Sequence, residues 1–484
     1  MLLSLSSLLA VLLGTAIGIV IGALPGLGSV LAITMALPLT FVLAKEASIS
    51  LILGLYCGSV YGGSISAILI NTPGTPQSAA TIFDGYPMAK KGQADLALGW
   101  ATTASTIGGL VSTAILIVAA PLLAKIGLKF GPIEYFALGI FALTCIVSVS
   151  RENMAKGILA GLGGLFVAVI GQDQLTGDVR FDFDSFELSA GIGLVPFLVG
   201  IFALSEVFAR ISEITFGKTD VIIRAGFKIP SFLELWSRRA VIIKSSLIGT
   251  WVGSLPGVGA TTASMVSYAE AKRSSRNREM FGTGEPDGVI ASEAANNAVT
   301  SGALVPTLAL GVPGDPITAV MLGALTIQGV TPGPRLFVDS GDIVFYIFFT
   351  MILANIVMFV CGAIMAPLFS RILKLSEAIL MPCIVALVAL GVYCINFNSF
   401  DLLVAFGSGL VGFILRYNDF PLAPVVIGYV LSPMIEISLR QGLILTDENF
   451  LKFFMRPIAL MLFILTLLIL FWPIFKKHIL KRQN

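Results

Sequence analysis

Long apolar runs, separated by short polar stretches, follow one another from end to end of the chain. The runs at 346–369 and 453–475 each contain enough apolar residues for one membrane-crossing helix, which takes about 20 residues. They are solidly apolar instead of alternating, so they predict helices and not the strands of a transmembrane barrel. The 484 residues accommodate roughly a dozen such spans. The pattern therefore predicts an all-α polytopic membrane protein.

Two similar proline-rich stretches interrupt this pattern. The first is INTPGTP, beginning at Ile70, and the second is LGVPGDP, beginning at Leu310. Proline inside a helix removes a hydrogen bond and clashes with the preceding turn, so each stretch should end one helix and start another. Within a bilayer, such irregular backbone survives only inside protein or beside a water-filled cavity. We therefore expect two broken or re-entrant helices that meet at a site near the membrane midplane.

The loop charges give the two breaks opposite orientations. Basic residues favour the cytoplasmic side of a membrane, which places Lys90 and Lys91, after the first break, inside. The basic tail after residue 475 is also placed inside. Counting five predicted helices back from the tail puts Arg335, after the second break, outside. This is the pattern of an inverted-topology repeat.

Sequence similarity between the two halves supports the repeat. GALPGLGS from Gly22 returns as GSLPGVGA from Gly253, and the glycines and prolines of the first break recur in the second at an offset of 240. We predict a first membrane repeat at 1–209, an amphipathic cytoplasmic linker at 210–244, a second membrane repeat at 245–452, and an extra helix with a basic tail at 453–484. The paired motifs either form tight turns or contact a ligand. Their residues are Gly22, Pro25, Gly26, Gly28, Gly253, Pro256, Gly257 and Gly259.

Both breaks have the features of a helix start. Thr75-Pro76 and Asp315-Pro316 read as an N-cap followed by proline at the first helical position. A helix start attracts anions without any lysine or arginine, because its amides and its partial positive charge face outward. The chain has few basic residues inside its predicted spans, but small hydroxyl and amide side chains cluster near both breaks. The candidate substrate-binding residues are Ser59, Asn71, Thr72, Pro73, Gly74, Thr75, Pro76, Asn296, Asn297, Thr300, Ser301, Pro313, Gly314 and Asp315.

Several of these residues also have a structural interpretation. Any single serine or threonine can serve close helix packing instead of a ligand. The amide pair Asn296 and Asn297 favours function, since amides inside an apolar helix need polar partners. A carboxylate in a membrane segment suggests a functional site, so Asp315 is a candidate sodium ligand, with plain N-capping as the alternative. For Glu293, a helix end at the membrane interface is favoured over an ion site.

Composition narrows the classes of function. Hydrophobic residues make up 56% of the chain and charged residues 12%, against about 25% charged in soluble domains. The single histidine, His478, lies in the tail, which excludes a histidine-based catalytic or zinc site in the core. No nucleotide-binding motif is present, and the net charge of +2 gives no indication of a nucleic-acid partner. A secondary carrier fits an inverted pair of broken helices better than an enzyme or a channel does.

These motifs carry a family resemblance. Together with YCGSVYGGSISAILINTPGTPQSAATIFDGYPMAKKGQADLALG from Tyr56, they resemble the large membrane subunit of the tripartite tricarboxylate transporters, the TctA family, over residues 14–457. The resemblance implies a carrier in a bacterial or archaeal cytoplasmic membrane that imports carboxylates such as citrate, without a cofactor, by symport with a cation that is usually sodium. It also implies two partners, a small integral-membrane subunit and a periplasmic solute-binding protein. The alternative is a carrier of another small metabolite that works without a binding protein.

Overall fold

A computed structural model describes residues 4–149, 154–213, 226–369 and 377–480 of the chain. The expected linker at 210–244 is therefore described only at its two ends. The end of the expected basic tail, 481–484, lies outside the described residues. Almost all regular structure is helical, and the one sheet in the described ranges is a two-stranded antiparallel ribbon that pairs Gly171 with Arg180.

Among its described residues, the first part of the chain contains ten α-helices and the ribbon. A 3-10 helix, Pro76–Thr81, precedes α4, and a π-helical segment, Val199–Leu204, joins α9 to α10. The elements are α1 (Leu5–Ala23), α2 (Gly28–Thr40), α3 (Lys45–Ile70), α4 (Ile82–Lys90), α5 (Ala94–Gly127), α6 (Pro132–Val149), α7 (Met154–Val169), β1 (Gly171–Gln172), β2 (Val179–Arg180), α8 (Phe186–Ser189), α9 (Leu194–Leu198) and α10 (Ser205–Glu213).

The second part of the chain is helical throughout its described residues. It contains α11 (Phe232–Ser237), α12 (Arg239–Gly253), α13 (Gly259–Ser274), α14 (Pro286–Leu310), α15 (Pro316–Ile327), α16 (Leu336–Asp339), α17 (Gly341–Met365), α18 (Glu377–Asn396), α19 (Ser399–Tyr417), α20 (Leu422–Leu445) and α21 (Pro457–Leu480). Short 3-10 segments lie at Arg278–Met280, Ala366–Leu368 and Phe450–Met455.

The membrane-spanning character agrees with the all-α expectation. Among the described residues, seven helical stretches are long and apolar enough to cross a bilayer. Six shorter apolar helices of 10–17 residues accompany them, including α2, α7 and α15. By this criterion the described spans are fewer than the expected dozen. The helices α2 and α15, which follow the first glycine motif and the second break, are among those too short to count.

Glycine spacing explains how the first helices pack. Gly14, Gly18 and Gly22 lie four residues apart on α1, and Gly54 and Gly58 continue the same spacing on α3. A Cβ atom on any of these glycines would collide with backbone of the opposite helix. Small residues at every fourth position let two helix backbones approach closely, which drives association inside a bilayer. The α1–α3 pair is therefore fixed by its glycines.

The second half repeats this contact. On α12, Gly249 and Gly253 lie against the α14 backbone at Ala295 and Val299. Gly302 of α14 faces Thr250 in return. The longest helix, α5, also packs along α14, while α17 packs against α3. Both interrupted helices, α3 and α14, consequently lie at the centre of one helical group, and nearly all of their residues are buried.

A second group of helices completes the walls around this centre. Helix α20 packs on α6 and α7, and α21 packs on α6. Helix α19 packs along the π-helical segment before α10, and α18 contacts α2. The π-helical segment itself contacts α2, at the edge of the central group.

Candidate functional site

Each break is a left-handed helix end followed by a short extended turn. Asn71 ends α3 with φ 58° and ψ 21°, and Gly311 ends α14 with φ 71° and ψ 19°. The left-handed region favours glycine and tolerates asparagine, which explains both residue choices. The next helical segments begin at Pro76 and Pro316, with Thr75 and Asp315 as their N-cap residues. The N-cap prediction from the sequence therefore matches the local geometry.

The paired glycine motifs form matching turns. Gly26 and Gly28 have φ values of +84° and +68°, and Gly257 and Gly259 have +82° and +70°. Each pair connects the end of one helix to the start of another. The second turn contacts the second break directly, because the Gly257 amide donates a hydrogen bond to the Gly314 carbonyl at 2.7 Å. Both glycine turns thus lie beside the breaks.

One cavity of about 660 Å³ is bounded by both breaks and both glycine turns. Its first wall comes from residues 26–31 and 73–77, and its second from 259–261 and 315–317. A third wall comes from the start of α10 and from the loop between α19 and α20. The lining residues of this third wall are Phe202, Ser205, Glu206, Arg210, Arg416, Phe420, Pro421 and Leu422.

Four charged residues line this cavity in the described part of the chain, and their formal charges cancel. Arg210 and Arg416 both pair with Glu206, Arg210 Nε at 3.2 Å from Oε1 and Arg416 Nη1 with Oε2. The Arg210 guanidinium also lies against the first glycine turn, since a side chain on Gly26 would occupy its position. Sequence patterns did not identify these arginines, because each lies in the last turn of a helix and resembles an ordinary cytoplasmic anchor.

Asp315 is the fourth charged residue, and its oxygens already have protein donors. Thr318 donates to Oδ1 through its backbone amide at 2.7 Å and its hydroxyl at 2.8 Å. The Asp315 amide donates to the Thr318 hydroxyl oxygen at 2.9 Å in return, which completes a capping box at the start of α15. Tyr56 of α3 donates its hydroxyl to Oδ2 at 2.9 Å. The N-cap alternative is therefore present in the structure, and the role of Asp315 as a sodium ligand stays a prediction. No group of three or more histidine, cysteine, aspartate or glutamate side chains that could hold a metal ion occurs among the described residues.

Some of the predicted residues of the breaks and of the glycine motifs line the cavity, and the others lie outside its wall. Of the first break, Pro73, Gly74, Thr75 and Pro76 line the cavity, while Asn71 and Thr72 lie just outside its wall. Pro313 and Gly314 lie behind Asp315, with the Gly314 amide bonded to the Thr307 hydroxyl at 3.3 Å. Of the motif residues, Gly26, Gly28 and Gly259 line the cavity, while the other five do not: Gly22, Pro25, Gly253, Pro256 and Gly257.

The residues expected from α14 lie at helix contacts instead of in the cavity. The Asn296 amide donates to the Val60 carbonyl at 3.3 Å, and the Asn297 amide lies 3.1 Å from the Met358 sulfur. Thr300 and Ser301 are fully buried; the Thr300 hydroxyl donates to the Asn297 carbonyl, and the Ser301 hydroxyl bonds Thr113. Ser59 is likewise buried, under Gly22. Their assignment to substrate stays a prediction.

The expectation for Glu293 is wrong. Instead of marking a helix end at the interface, Glu293 lies inside α14 and is fully buried. The preceding GTGEPDG stretch suggested an interface because its glycines, proline and acids are typical of an exposed loop. The helix in fact begins at Pro286, two turns before Glu293.

Comparison with known proteins identifies this arrangement. The model of the tripartite tricarboxylate transporter TctA family matches residues 8–427. The chain belongs to the tripartite tricarboxylate transporter TctA family. That match confirms the family resemblance drawn from the break and glycine motifs. With seven apolar helices long enough to span a bilayer, this family member is a multi-pass membrane protein.

Two curated relatives come from Agrobacterium vitis. One, "Uncharacterized 52.8 kDa protein in TAR-I ttuC' 3'region", is 36% identical over 453 residues, which is 92% of this chain and 89% of the relative. The other, "Uncharacterized protein in TAR-II ttuC' 3'region", is 34% identical over 211 residues, which is 44% of this chain and 87% of the relative. No solved structure matches the chain.

Proposed function

We propose that this family member is the membrane subunit of a secondary transporter that imports small organic carboxylates together with sodium ions. The observation that carries the proposal is the single cavity bounded by both breaks and both glycine turns. In membrane carriers, substrates bind near the midplane, where broken helices meet and present their ends to the ligand. A carrier also accounts for the composition better than an enzyme, because 56% of the chain is hydrophobic and seven described helical stretches are long and apolar enough to span a membrane.

The helix starts at the two breaks and the two arginines of the third wall supply hydrogen-bond donors for an anion. The helical segment that starts at Pro76 has no side chain bonded to its first amides, whereas Asp315 caps the start of α15. The two breaks therefore differ, and the first offers the less occupied amides. Arg210 and Arg416 supply charge-assisted donors, which bind carboxylates more strongly than neutral groups do.

The charge balance explains why cations would accompany the substrate. The charges of the side chains that line the cavity sum to zero. The protein therefore has no surplus of positive charge there to neutralise a multivalent anion. Moving one charge across 100 mV costs about 2.3 kcal/mol, so a citrate trianion entering an inside-negative cell costs roughly 7 kcal/mol. Three co-transported cations would remove that cost. Sodium is the expected coupling ion.

An inverted repeat accounts for how the two breaks meet. The left-handed ends at Asn71 and Gly311, and the two glycine turns, have nearly identical backbone angles at corresponding positions. On α14, Glu293 precedes Asn296, and their partners on α3, Ser64 and Val60, follow the reverse order. Contacts in reverse order are those of helices running in opposite directions. This supports repeats at 1–209 and 245–452 of opposite orientation.

The open side of the cavity suggests an inward-facing state. Arg416 and the following loop to Leu422 belong to a connection that the charge pattern places in the cytoplasm. Arg210 begins the linker placed on the same side. We propose that substrate leaves the cavity here, and that it enters from the opposite side after the two helical groups rearrange.

The family name implies a tripartite system with other subunits. We propose that this chain works with a small integral-membrane subunit and with a periplasmic solute-binding protein that delivers the carboxylate. The test is reconstitution of the three proteins in liposomes, with labelled citrate uptake measured under an inward sodium gradient. A sodium ionophore serves as the control, because it collapses the gradient without touching the protein.

We expect uptake that requires both the sodium gradient and the binding protein. If citrate is not taken up but other carboxylates compete for the binding protein, the transporter class stands and the substrate changes. Uptake that ignores the binding protein would overturn the tripartite proposal in favour of an independent carrier.

A further inference from the structure

A buried carboxylate lies behind the cavity, and the proposed substrate site does not use it. Glu293 is fully buried in the middle of α14, where α3, α5 and the 3-10 helix Pro76–Thr81 pack around it. No lysine or arginine of the described residues forms an ion pair with it: the ion pairs all lie elsewhere. A charge at this depth is costly, so such carboxylates usually belong to ion or proton pathways.

Hydroxyl groups from two other elements donate hydrogen bonds to this carboxylate. The Thr81 hydroxyl, at the end of the 3-10 helix, donates to Oε1. The Ser105 hydroxyl of α5 donates to Oε2 at 3.0 Å. Ser292 of α14 bonds the Thr81 hydroxyl at 3.1 Å. A hydroxyl that donates a hydrogen bond to the carboxylate still has lone pairs on its oxygen, and these can bind a cation.

Two further oxygens in the same cluster lack hydrogen-bond partners. Ser64 Oγ lies close to the Glu293 carboxylate, but the two groups do not have the geometry of a hydrogen bond. Asn296 lies one turn after Glu293 on the same face of α14, and its Oδ1 atom receives no donor. The Asn296 amide nitrogen donates to the Val60 carbonyl at 3.3 Å. Both residues are fully buried.

Buried polar atoms in folded proteins are almost always hydrogen-bonded, so each exception needs an explanation. A cation bound at the carboxylate would account for both the acceptor oxygen that receives no donor and the buried carboxylate that has no positively charged partner. Oxygen atoms are the ligands that hard cations prefer. One carboxylate with neutral oxygens around it balances one positive charge.

We propose that Glu293, Thr81, Ser105, Ser64 and Asn296 form a buried site for a monovalent cation, sodium. This inference rests on the proposed function for its biological role, as the site of a coupling ion. It differs from the sequence-based expectation, which placed the sodium ligand at Asp315 and treated Glu293 as an interface residue.

The 3-10 helix Pro76–Thr81 connects this site to the substrate cavity. Pro76 and Gln77 line the cavity, and Thr81 contacts Glu293. Four residues at about 2 Å each separate Gln77 from Thr81, so these two residues lie roughly 8 Å apart along the 3-10 helix. A cation that holds Thr81 in place would also hold the first break in its substrate-binding position. This contact couples the two ligands.

The experiment measures sodium binding by the purified chain in detergent, with no substrate and no transport. Thermal unfolding is followed as sodium chloride replaces choline chloride at constant ionic strength. A ligand that binds only the folded state raises the unfolding temperature in a saturable way. We expect such a rise for the wild-type chain and none for Glu293→Gln, which keeps the shape of the side chain but removes its charge.

Two further variants make the result specific. Glu134 is a buried glutamate outside the cluster, bonded to the Gly131 amide at 2.9 Å, so Glu134→Gln should keep the full sodium response. Thr81→Val removes one oxygen without a change of shape, and should raise the half-saturating sodium concentration by roughly tenfold or more. It also tests the site if Glu293→Gln fails to fold.

Each outcome either supports or overturns the proposed cation site. A saturable response lost in Glu293→Gln and weakened in Thr81→Val supports the site, even if carboxylate uptake is never observed. A sodium response that Glu293→Gln retains overturns it, even if uptake is sodium-dependent. The absence of any response in the wild-type chain also overturns it, and would indicate that Glu293 is protonated instead.

Discussion

The N-cap at the second break offers a prediction whose size follows from the structure. Asp315 bonds the Thr318 amide and hydroxyl through Oδ1 and receives the Tyr56 hydroxyl at Oδ2. Asp315→Ala removes the cap, which costs about 1 kcal/mol of stability. It also leaves the buried Tyr56 hydroxyl without its acceptor, which costs about 1–3 kcal/mol. We therefore expect a loss of roughly 2–4 kcal/mol.

Asp315→Asn is the matched control. Asparagine caps helices about as well as aspartate, and the Tyr56 hydroxyl can reverse its direction to accept from the new amide. The loss should be smaller than for Asp315→Ala, because the cap and one hydrogen bond to the Tyr56 oxygen are kept. Thermal unfolding in detergent compares the two variants, and Asp315→Ala should unfold several degrees lower. Equal unfolding temperatures would refute the argument that the carboxylate holds the break together. Loss of sodium-dependent uptake in Asp315→Asn alone would assign the ion to Asp315.

Three other expectations concern separate parts of the molecule. Asn71→Ala should weaken uptake, because the left-handed conformation that ends α3 is about 1 kcal/mol less favourable for alanine. Asn71→Gly should retain uptake. Wild-type uptake rates in both variants would contradict this expectation. Arg416→Gln should raise the KM for a carboxylate on the order of tenfold through loss of a charge-assisted bond, with Arg416→Lys in between; an unchanged KM would remove Arg416 from the substrate site. The Leu175 amide lowers the pKa of Asp173, so the hydrogen bonds of Asp173 stabilise the folded loop above the unfolded-state pKa of about 3.9 and are lost as the pH falls below it. Hydrogen exchange in this loop should be unchanged between about pH 5 and 8, after correction for intrinsic rates, and opening at about pH 6 would count against the assignment.

The breaks and their surroundings could be predicted from sequence because they depend on local chemistry. Proline directly after an N-cap residue such as Thr75 or Asp315 favours the start of a helix. A residue such as Gly311 ends a helix by adopting the left-handed conformation. Repetition of these signals at constant spacing indicated that both breaks belong together. The cavity that they share in the structure agrees with that expectation.

The arginines of the cavity could not be predicted in this way. Arg416 and Glu206 are 210 residues apart in the chain and meet only through the packing of α10 and α19. At a helix end, a basic residue has the same sequence signature whether it faces lipid headgroups, water or a cavity. Tertiary structure alone distinguishes these cases.

The amides of α14 show a second limit. Helical periodicity identifies the buried side of a helix when its other side is exposed, but α14 is buried all round. The sequence therefore gave no means of telling which of its polar residues face the cavity. Asn296 and Asn297 point to neighbouring helices. Glu293 was misplaced for a related reason, since the loop-like residues before it lie at the start of the same helix.

The most direct test of the central claim asks whether a carboxylate occupies the cavity between the two breaks. Gln77 lines this cavity, so Gln77→Cys would place a thiol in its wall, in a chain whose exposed Cys383 and Cys394 are replaced by serine. Val338 is well exposed and lies outside the cavity, and Val338→Cys serves as the control.

Labelling by a negatively charged thiol reagent is measured with and without a saturating carboxylate that supports uptake. The account predicts that the carboxylate slows modification at position 77 and leaves position 338 unchanged. Equal modification rates at position 77 with and without the carboxylate would contradict it.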